Sequence, residues 1–268
     1  MLSVRRHGPI TRVQLARTVA GRPLYRVSTY LVGATLIDSG PPATARALTR
    51  WAGDAGVARV VHTHHHEDHT GGSWLLRRHL DVEVYAPPAT AEILRTFSRI
   101  PFYRRVVWGR PHPVAATPFA GVLEIDGMRL EAIPTPGHAD DHHCLFDHAR
   151  GWLFSGDLFV HPRVRYLRRE EDPWQQLEGL RRVRALGPTL LVCAHAGIVR
   201  DADTALARRI EFWERLAEDA RRLVAEGHSI RSATRRLLGP EGGLYLASLG
   251  DFSKRNLVAG LVRGPGNL

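Results

Sequence analysis

Apolar and polar residues alternate in "ITRVQLARTV" from residue 10, in "YRVSTYLV" and in "ATLID", and this period of two predicts strands over residues 10–37. "DSGPP" then supplies turn chemistry and a helix start. "ATARALTRWAGDAG" has helical spacing and ends in glycine, "VARVVHT" reads as a short buried strand, "GGSWLLRRHL" as a helix and "DVEVYA" as the next strand. Such strand–helix alternation predicts an α/β layered domain. Over residues 87–118 the pattern loosens into one helix and an irregular segment rich in Arg, Pro and aromatics, which suits surface structure or the wall of a pocket. Asp126-Gly127 between two alternating runs predicts a tight hairpin, and a second hairpin turns near Ala149-Arg150-Gly151. A helix over residues 173–186 and a core strand in "TLLVCAH" complete this part.

Beyond Asp201 the strand pattern stops. "DTALARRIEFWERLAEDARRLVAEG" sets Leu206, Ile210, Trp213, Leu216, Leu223 and Val224 near one face, and "SIRSATRRLLG" and "DFSKRNLVAGLV" predict further helices capped by Ser229 and Asp251. The chain thus divides into an α/β domain over residues 1–201 and a helical extension over 202–268.

Composition narrows the class only a little. A chain of 268 residues suits one large domain with an extension. No apolar run approaches the ~20 residues needed to cross a bilayer, and "MLSVRRHGPITRV" has no apolar signal core, so the expected location is the cytoplasm with no membrane partner. Cys144 and Cys193 each lie in an apolar stretch and read as small core residues. The formal charge of +10 is almost all arginine, Lys254 being the sole lysine, and it is spread over both halves, which fits scattered solvated charge better than a nucleic-acid stripe.

The candidate chemistry lies in "VVHTHHHEDHTGG", residues 60–72. Neutral imidazole and carboxylate suit a borderline divalent metal such as zinc. In an extended loop the i and i+2 side chains point the same way, so His64 and His66 can chelate one ion, whereas Asp68 and His69 point elsewhere as the chain turns into the Gly71-Gly72 helix start. One cluster therefore suits two ions better than one. The His-Glu-x-x-His alternative fails, because position 70 is Thr70. Further ligands follow predicted strands: His138 in "PTPGHADD", Asp157 in "LFSGDLF" and His195 in "LLVCAH". Seven groups of this kind make two sites of three protein ligands each, with one carboxylate shared.

Thr63-His64-x-His66-x-Asp68-His69, Thr135-Pro136-Gly137-His138, Ser155-Gly156-Asp157 and His195, in this order, resemble the metallo-β-lactamase superfamily, as does "TLIDSG" with Asp38. The likeness covers roughly residues 10–200. It implies a four-layer αββα sandwich of two mixed sheets, with helices outside and metals at one edge, to which the C-terminal helical extension is added. It implies His64, His66 and His138 as ligands of one metal, Asp68, His69 and His195 of the second, Asp157 bridging them, and Asp38 holding the histidine loop from behind. The implied cofactor is two Zn2+ per chain, with Fe or Mn as substitutes. The implied activity is metal-assisted hydrolysis of a carboxylic-type bond (ester, thioester, lactone or β-lactam) by a hydroxide shared between the ions, with Asp68 also orienting the nucleophile.

Other side chains divide between site and surface. His62 reads as packing behind the site, His65 as pointing away from the metals, and His142 and His143 as edge-strand surface. In the loop "FVHPRVRYLRRE", Arg165 and Tyr166 are candidates for holding a substrate carboxylate or oxyanion, while His161, Arg163 and Arg168 fit an exposed basic loop. Arg104, Arg105 and Trp108 raise stacking and phosphate binding, although a helix with its aromatic side in the core explains them equally. A small-molecule substrate is the expected partner; the oligomeric state is open. The competing readings are a phosphodiesterase or ribonuclease on the same scaffold, and a mononuclear iron sulfur dioxygenase, which the complete second ligand set argues against.

Overall fold

The computed structural model describes residues 1–96 and 100–265, so part of the irregular segment foreseen over 87–118 lies outside the described residues. Fifteen strands form among these: β1 (Leu2–His7), β2 (Ile10–Leu15), β3 (Thr18–Val19), β4 (Arg22–Pro23), β5 (Val27–Val32), β6 (Thr35–Ile37), β7 (Arg59–Val61), β8 (Glu83–Ala86), β9 (Thr117–Pro118), β10 (Val122–Ile125), β11 (Met128–Pro134), β12 (His143–Asp147), β13 (Trp152–Phe154), β14 (Leu190–Cys193) and β15 (Gly197–Val199). They build a seven-stranded sheet in the order β1-β2-β5-β6-β7-β8-β9, a six-stranded sheet in the order β10 to β15, and the small β3–β4 hairpin. Both large sheets are mixed: β6, β7, β8 and β9 run parallel, as do β13 and β14, and the remaining pairs are antiparallel.

Alternation along the strands decides the layering. Leu36 and Val60 face one apolar cluster, and their neighbours Ile37 and Val61 face another. In the second sheet Phe146, Leu153 and Leu191 point outward, whereas Leu145, Phe154 and Val192 point toward the first sheet. Successive strand side chains point to opposite faces, so each sheet is apolar on both sides and must be covered on both. The inner cluster joins Ile10, Tyr30, Ile37 and Val61 to Met128, Leu130, Leu145 and Phe154. Outside the first sheet pack α1 (Ala45–Asp54), α3 (Ser73–Leu80) and α4 (Pro88–Leu94), through Leu48, Ala52, Leu76 and Leu94. A one-turn helix α2 (Glu67–Thr70) precedes α3, and α5 (Phe102–Trp108) follows α4. Outside the second sheet lie α6 (Pro173–Ala185), α7 (Ala202–Ala225), α8 (Ile230–Leu238) and α10 (Lys254–Arg263), with the short α9 (Gly243–Ala247) before the last. Leu177 and Leu180 of α6, Leu206 and Trp213 of α7 and Leu257 of α10 share one cluster with that sheet. The expected αββα sandwich with C-terminal helices is the fold observed.

The N-terminal segment adds to these expectations, and of the two helix caps foreseen one holds and one changes. β1, to which the sequence pattern assigned no element, is an edge strand whose middle four residues are exposed, so it carries no apolar alternation to detect. Ser229 does cap α8 by accepting from the Ser232 amide. Asp251, however, is not a cap: Ser253 accepts from the Arg255 amide at 3.0 Å, and Asp251 instead accepts from the Tyr103 hydroxyl at 2.5 Å. Among the described residues no helix is long and apolar enough to cross a membrane.

Candidate metal centre

Five connections that leave strand C-termini reach the same edge of the sandwich. They follow β6 (Asp38), β7 (residues 62–69), β11 (135–138), β13 (155–157) and β14 (His195). Loops at strand C-termini sit where several elements can contribute side chains without breaking a sheet. Tyr30 ties the sheets here by donating to the Cys193 carbonyl at 2.5 Å, and the Ser28 amide donates to Ala194 O at 2.7 Å.

The backbone then sorts the ligand atoms. His66 is extended at φ −56°, ψ 144°, so His64 and His66 project to one side before α2 begins. His64 Nε2 and His66 Nδ1 stand 2.9 Å apart, as do His66 Nδ1 and His138 Nε2, and His138 Nε2 is 3.2 Å from Asp157 Oδ2. On the other side Asp157 Oδ1 lies 3.2 Å from His69 Nε2 and 3.1 Å from His195 Nε2. Asp68 Oδ2 completes this group at 3.8 and 3.7 Å from the same two nitrogens. In each group of four, one ligand atom per residue lies within 4.8 Å of every other. All seven sequence-derived candidates converge, and Asp157 belongs to both groups.

The chemistry of these donors fits metal ions. His69 Nε2 and Asp157 Oδ1 are buried and have no hydrogen-bond partner, an arrangement that is costly unless something else takes up their lone pairs. Ligating imidazoles are held by a partner on their second nitrogen. Here His64 Nδ1 faces Thr63 Oγ1 at 3.0 Å, His69 Nδ1 faces Asp38 Oδ2 at 2.7 Å, His138 Nδ1 faces Glu171 Oε1 at 3.4 Å and His195 Nδ1 faces Arg26 O at 3.2 Å. His66 is different. Its Nε2 meets Arg168 Nη2 at 3.2 Å, and a guanidinium only donates. Ligation through Nδ1 would put the ring proton on Nε2, so Arg168 would give up this contact and keep those to Glu171 Oε1 (2.8 Å) and His138 O (3.1 Å).

Without ions the cluster is electrostatically divided. Burial, then the neighbouring His69, pushes His64 well below an ordinary histidine; burial, then Arg168 and Arg104, does the same to His66. Burial would also lower His69, but the carboxylates of Asp157, Asp38 and Asp68 outweigh it and hold the ring well above the usual range. Asp157 is held well below the carboxylate range against its own burial, by His195, His69 and His138. His138 in the first group is also raised, Glu171 and Asp157 outweighing its burial, so the imidazoles nearest the carboxylates are the ones that favour positive charge.

Behind the ligands lies a shell only partly foreseen. Asp38, at φ 59°, accepts from the Thr63 amide (3.0 Å) and the Thr63 hydroxyl as well as from His69, which is the holding role expected of it. His62 is fully buried there, with Nε2 2.8 Å from Ser73 Oγ. His65 turns away as foreseen and pairs with Asp141 Oδ1 at 2.7 Å, and Asp141 is fixed further by the Thr90 hydroxyl. His142 is not edge-strand surface: it is fully buried, because its Nε2 accepts from the Asp157 amide at 3.0 Å. His143, half-buried, faces the Asp141 carbonyl through Nδ1. Arg168 is likewise not part of an exposed loop; it is buried against Glu171, Glu170 and the two histidines. Arg165 is exposed, and Tyr166 is half-buried under Lys254 Nζ, 5.4 Å from its ring centroid.

Three contributors had no sequence signal for the roles they take. Glu171 sits in "RREED", where nothing distinguishes it from a solvated charge, yet it is buried beside His138 and held at about 2 against its burial by His138 and Arg168. Arg104 of α5 grips buried Glu67 with two bonds of 2.7 and 2.6 Å. Tyr25 places its ring 5.3 Å from that of His195 and 5.4 Å from that of Trp108; desolvation and the carboxylates of Asp157 and Asp68 push its hydroxyl up to about 12.

Known proteins resemble the chain in both sequence and fold. A hydroxyacylglutathione hydrolase of Thiobacillus denitrificans is 34% identical over 173 residues, covering 64% of this chain and 60% of that protein. An atrochrysone carboxyl ACP thioesterase of Aspergillus fumigatus is 25% identical over 219 residues, covering 75% and 62%. The chain spans about 60% of the length of these curated relatives. A beta-lactamase domain protein from Burkholderia ambifaria superposes with a TM-score of 0.75 at 18% identity, over 99% of this chain and 91% of that one. A metallo-beta-lactamase family protein from Thermus thermophilus gives 0.67 at 19% identity, over 96% and 91%. The family model of the metallo-beta-lactamase superfamily matches residues 22–195, a stretch that is more than half of the chain and holds all seven clustered side chains. The chain belongs to the metallo-β-lactamase superfamily.

Proposed function

We propose that the protein is a hydrolase that holds two zinc ions, one in each group around Asp157, and that it cleaves thioesters. The observation that carries this reading is the division of one carboxylate: Oδ2 of Asp157 faces His138 while Oδ1 faces His69 and His195. A carboxylate placed in this way suits two adjacent cations, and His64, His66 and His138 on one side with Asp68, His69 and His195 on the other supply three further ligands each. When bound, such ions supply a water whose pKa is lowered toward ~7 and polarise the carbonyl under attack.

The chain's own groups do the rest. Asp68, buried between the Nε2 atoms of His69 and His195, is placed to accept a proton from the attacking water and so to orient it. Asp38 and Glu171 hold His69 and His138 in the tautomer that turns Nε2 toward the cluster. The Tyr25 ring forms one side of the approach beside His195 and stays protonated, able to donate to a substrate oxygen. Arg165 and Tyr166 remain candidates for gripping a distal carboxylate. Among ester, thioester, lactone and β-lactam, the thioester is favoured by relatives named as a hydroxyacylglutathione hydrolase and an ACP thioesterase.

The test is an activity panel on zinc-replete protein with thioesters, lactones, a chromogenic β-lactam and phosphodiesters, together with metal analysis. Thioesters are expected to turn over fastest, with two zinc per chain, and His66→Ala or Asp157→Ala to lose metal and activity together. One iron per chain, or full activity after chelation, would reject the proposal.

A further inference from the structure

Helix α5 has two working faces. Arg104 and Trp108, four residues apart, turn inward, to Glu67 of the histidine loop and to Tyr25 beside His195. Phe102, Arg105 and Val106 turn outward, where with Arg17 and Arg110 they line a groove of about 740 Å³, within the size range of small-molecule sites. Among the described residues no acidic one lines this groove. Arg17 Nη1 donates to the carbonyls of Arg105 (3.2 Å) and Val106 (2.6 Å), which fixes the segment before the β3–β4 hairpin to α5. Arg105 and Arg110 are exposed and have no acidic partner among the described residues, and Phe102 beside them is 72% exposed. Guanidinium groups free to grip phosphate, next to a bare aromatic ring on which a base can stack, make the chemistry of a nucleoside-phosphate site.

We propose that this groove binds the nucleoside-phosphate part of a thioester's thiol carrier, a carrier of the coenzyme A type, while the acyl end lies at the metal centre. The inference rests on the thioester reading and names the class of thioester. A long flexible carrier has its phosphates far from the bond that breaks, so a basic groove outside the catalytic edge is where they belong. The groove is joined to that edge through a single rigid element: α5 is clamped to the histidine loop by Arg104–Glu67 and to the approach by Trp108–Tyr25. Single-stranded RNA fits less well, since it asks for several stacking rings along a basic path, and this groove has one exposed ring among the described residues.

The zinc-loaded full chain is titrated calorimetrically with adenosine 3′,5′-bisphosphate, and kcat/KM is compared for one acyl group carried on coenzyme A and on phosphate-free N-acetylcysteamine. The bisphosphate is expected to bind and to compete with the acyl-coenzyme A, and wild type to prefer the coenzyme A thioester at least tenfold. In Arg105→Ser/Arg110→Ser, bisphosphate binding should weaken at least tenfold and the preference should fall toward one, with the far-ultraviolet spectrum retained. Should the double variant misfold, Arg110→Ser alone and the wild-type preference carry the test. The groove assignment is overturned if wild type shows no preference and no bisphosphate binding, if the variants bind it as wild type does, or if an oligoribonucleotide binds the same arginines more tightly. If neither thioester is cleaved although the bisphosphate binds and the variants lose it, the reaction assignment falls and the groove stands.

Discussion

The backbone amide of Asp157 donates to Nε2 of His142 across 3.0 Å, so the proton of that ring lies on Nδ1, 2.8 Å from Thr135 Oγ1. Burial, with His138 next, pushes His142 down to about 3, and the ring is a neutral acceptor throughout the physiological range. It therefore fixes the backbone of the residue whose two oxygens divide between the ligand groups. His142→Phe keeps the bulk and removes the acceptor, leaving a buried amide unsatisfied at a cost of about 1–3 kcal/mol. Zinc affinity, measured by competition with a chelator, is expected to fall ~10–100-fold, as for other groups that orient metal ligands. Unchanged affinity would show that the Asp157 backbone is positioned by something else.

Gly156, just before the shared carboxylate, has φ +48°, and a Cβ there would stand 2.6 Å from His142 Nε2 and 3.1 Å from Thr63 Oγ1. Gly8 also has positive φ, +61°, but a Cβ there meets nothing within 4 Å. Ala at either position carries the backbone penalty, about 1 kcal/mol; only at Gly156 does it also strike the group that holds Asp157. Gly156→Ala should destabilise by about 2 kcal/mol or more beyond Gly8→Ala in urea unfolding. Equal effects would mean that His142 can move aside freely.

The legible part of this site was the part that repeats a fixed spacing. His64, His66, Asp68 and His69 lie within six residues, and His138, Asp157 and His195 each follow an apolar strand, so local pattern located all seven side chains that converge in the two clusters. The layered fold was legible for the same reason, because strands such as 35–37 and 59–61 are apolar on both faces and need cover on both. What stayed hidden depends on long-range placement. Arg168 and His142 look like any surface Arg or edge-strand His until the loops that carry His66, His138 and Asp157 close around them. Glu67 and Arg104 are 37 residues apart and become a pair only once α5 lies on the histidine loop.

That pair makes its own prediction. Arg104 and Glu67 are both buried, and their two-bond geometry leaves neither charge free. Removing one partner strands the other, which typically costs about 3–5 kcal/mol, whereas replacing both with apolar groups of like size is far milder. Arg104→Met and Glu67→Leu should each destabilise strongly, and the double variant should be more stable than either, with a coupling above ~1.5 kcal/mol in a double-mutant cycle. Additive effects would indicate that α5 is held to the histidine loop by other contacts.

Cys144 gives a test of packing that titration can read. Burial pushes its thiol from 9.0 up to about 12, against the pull of the Thr135 hydroxyl, 3.5 Å from its sulfur. The folded state thus keeps a proton that the unfolded chain releases, and stability falls wherever the unfolded state binds fewer protons. The contribution is intact below pH 9 and is lost progressively as pH rises toward about 12, the folded value. By pH 11 the loss should reach about 2–3 kcal/mol. Cys144→Ala lacks this term, so its stability deficit relative to wild type, measured by urea unfolding, should shrink between pH 8.5 and 11 by roughly that amount, other ionisations being common to both proteins. The thiol should also resist iodoacetamide at pH 8 until the chain unfolds, since alkylation needs an accessible thiolate. Parallel stability profiles for the two proteins, or rapid native alkylation, would mean that Cys144 is reached by solvent and that the layer between β12 and α6 is looser than its packing indicates.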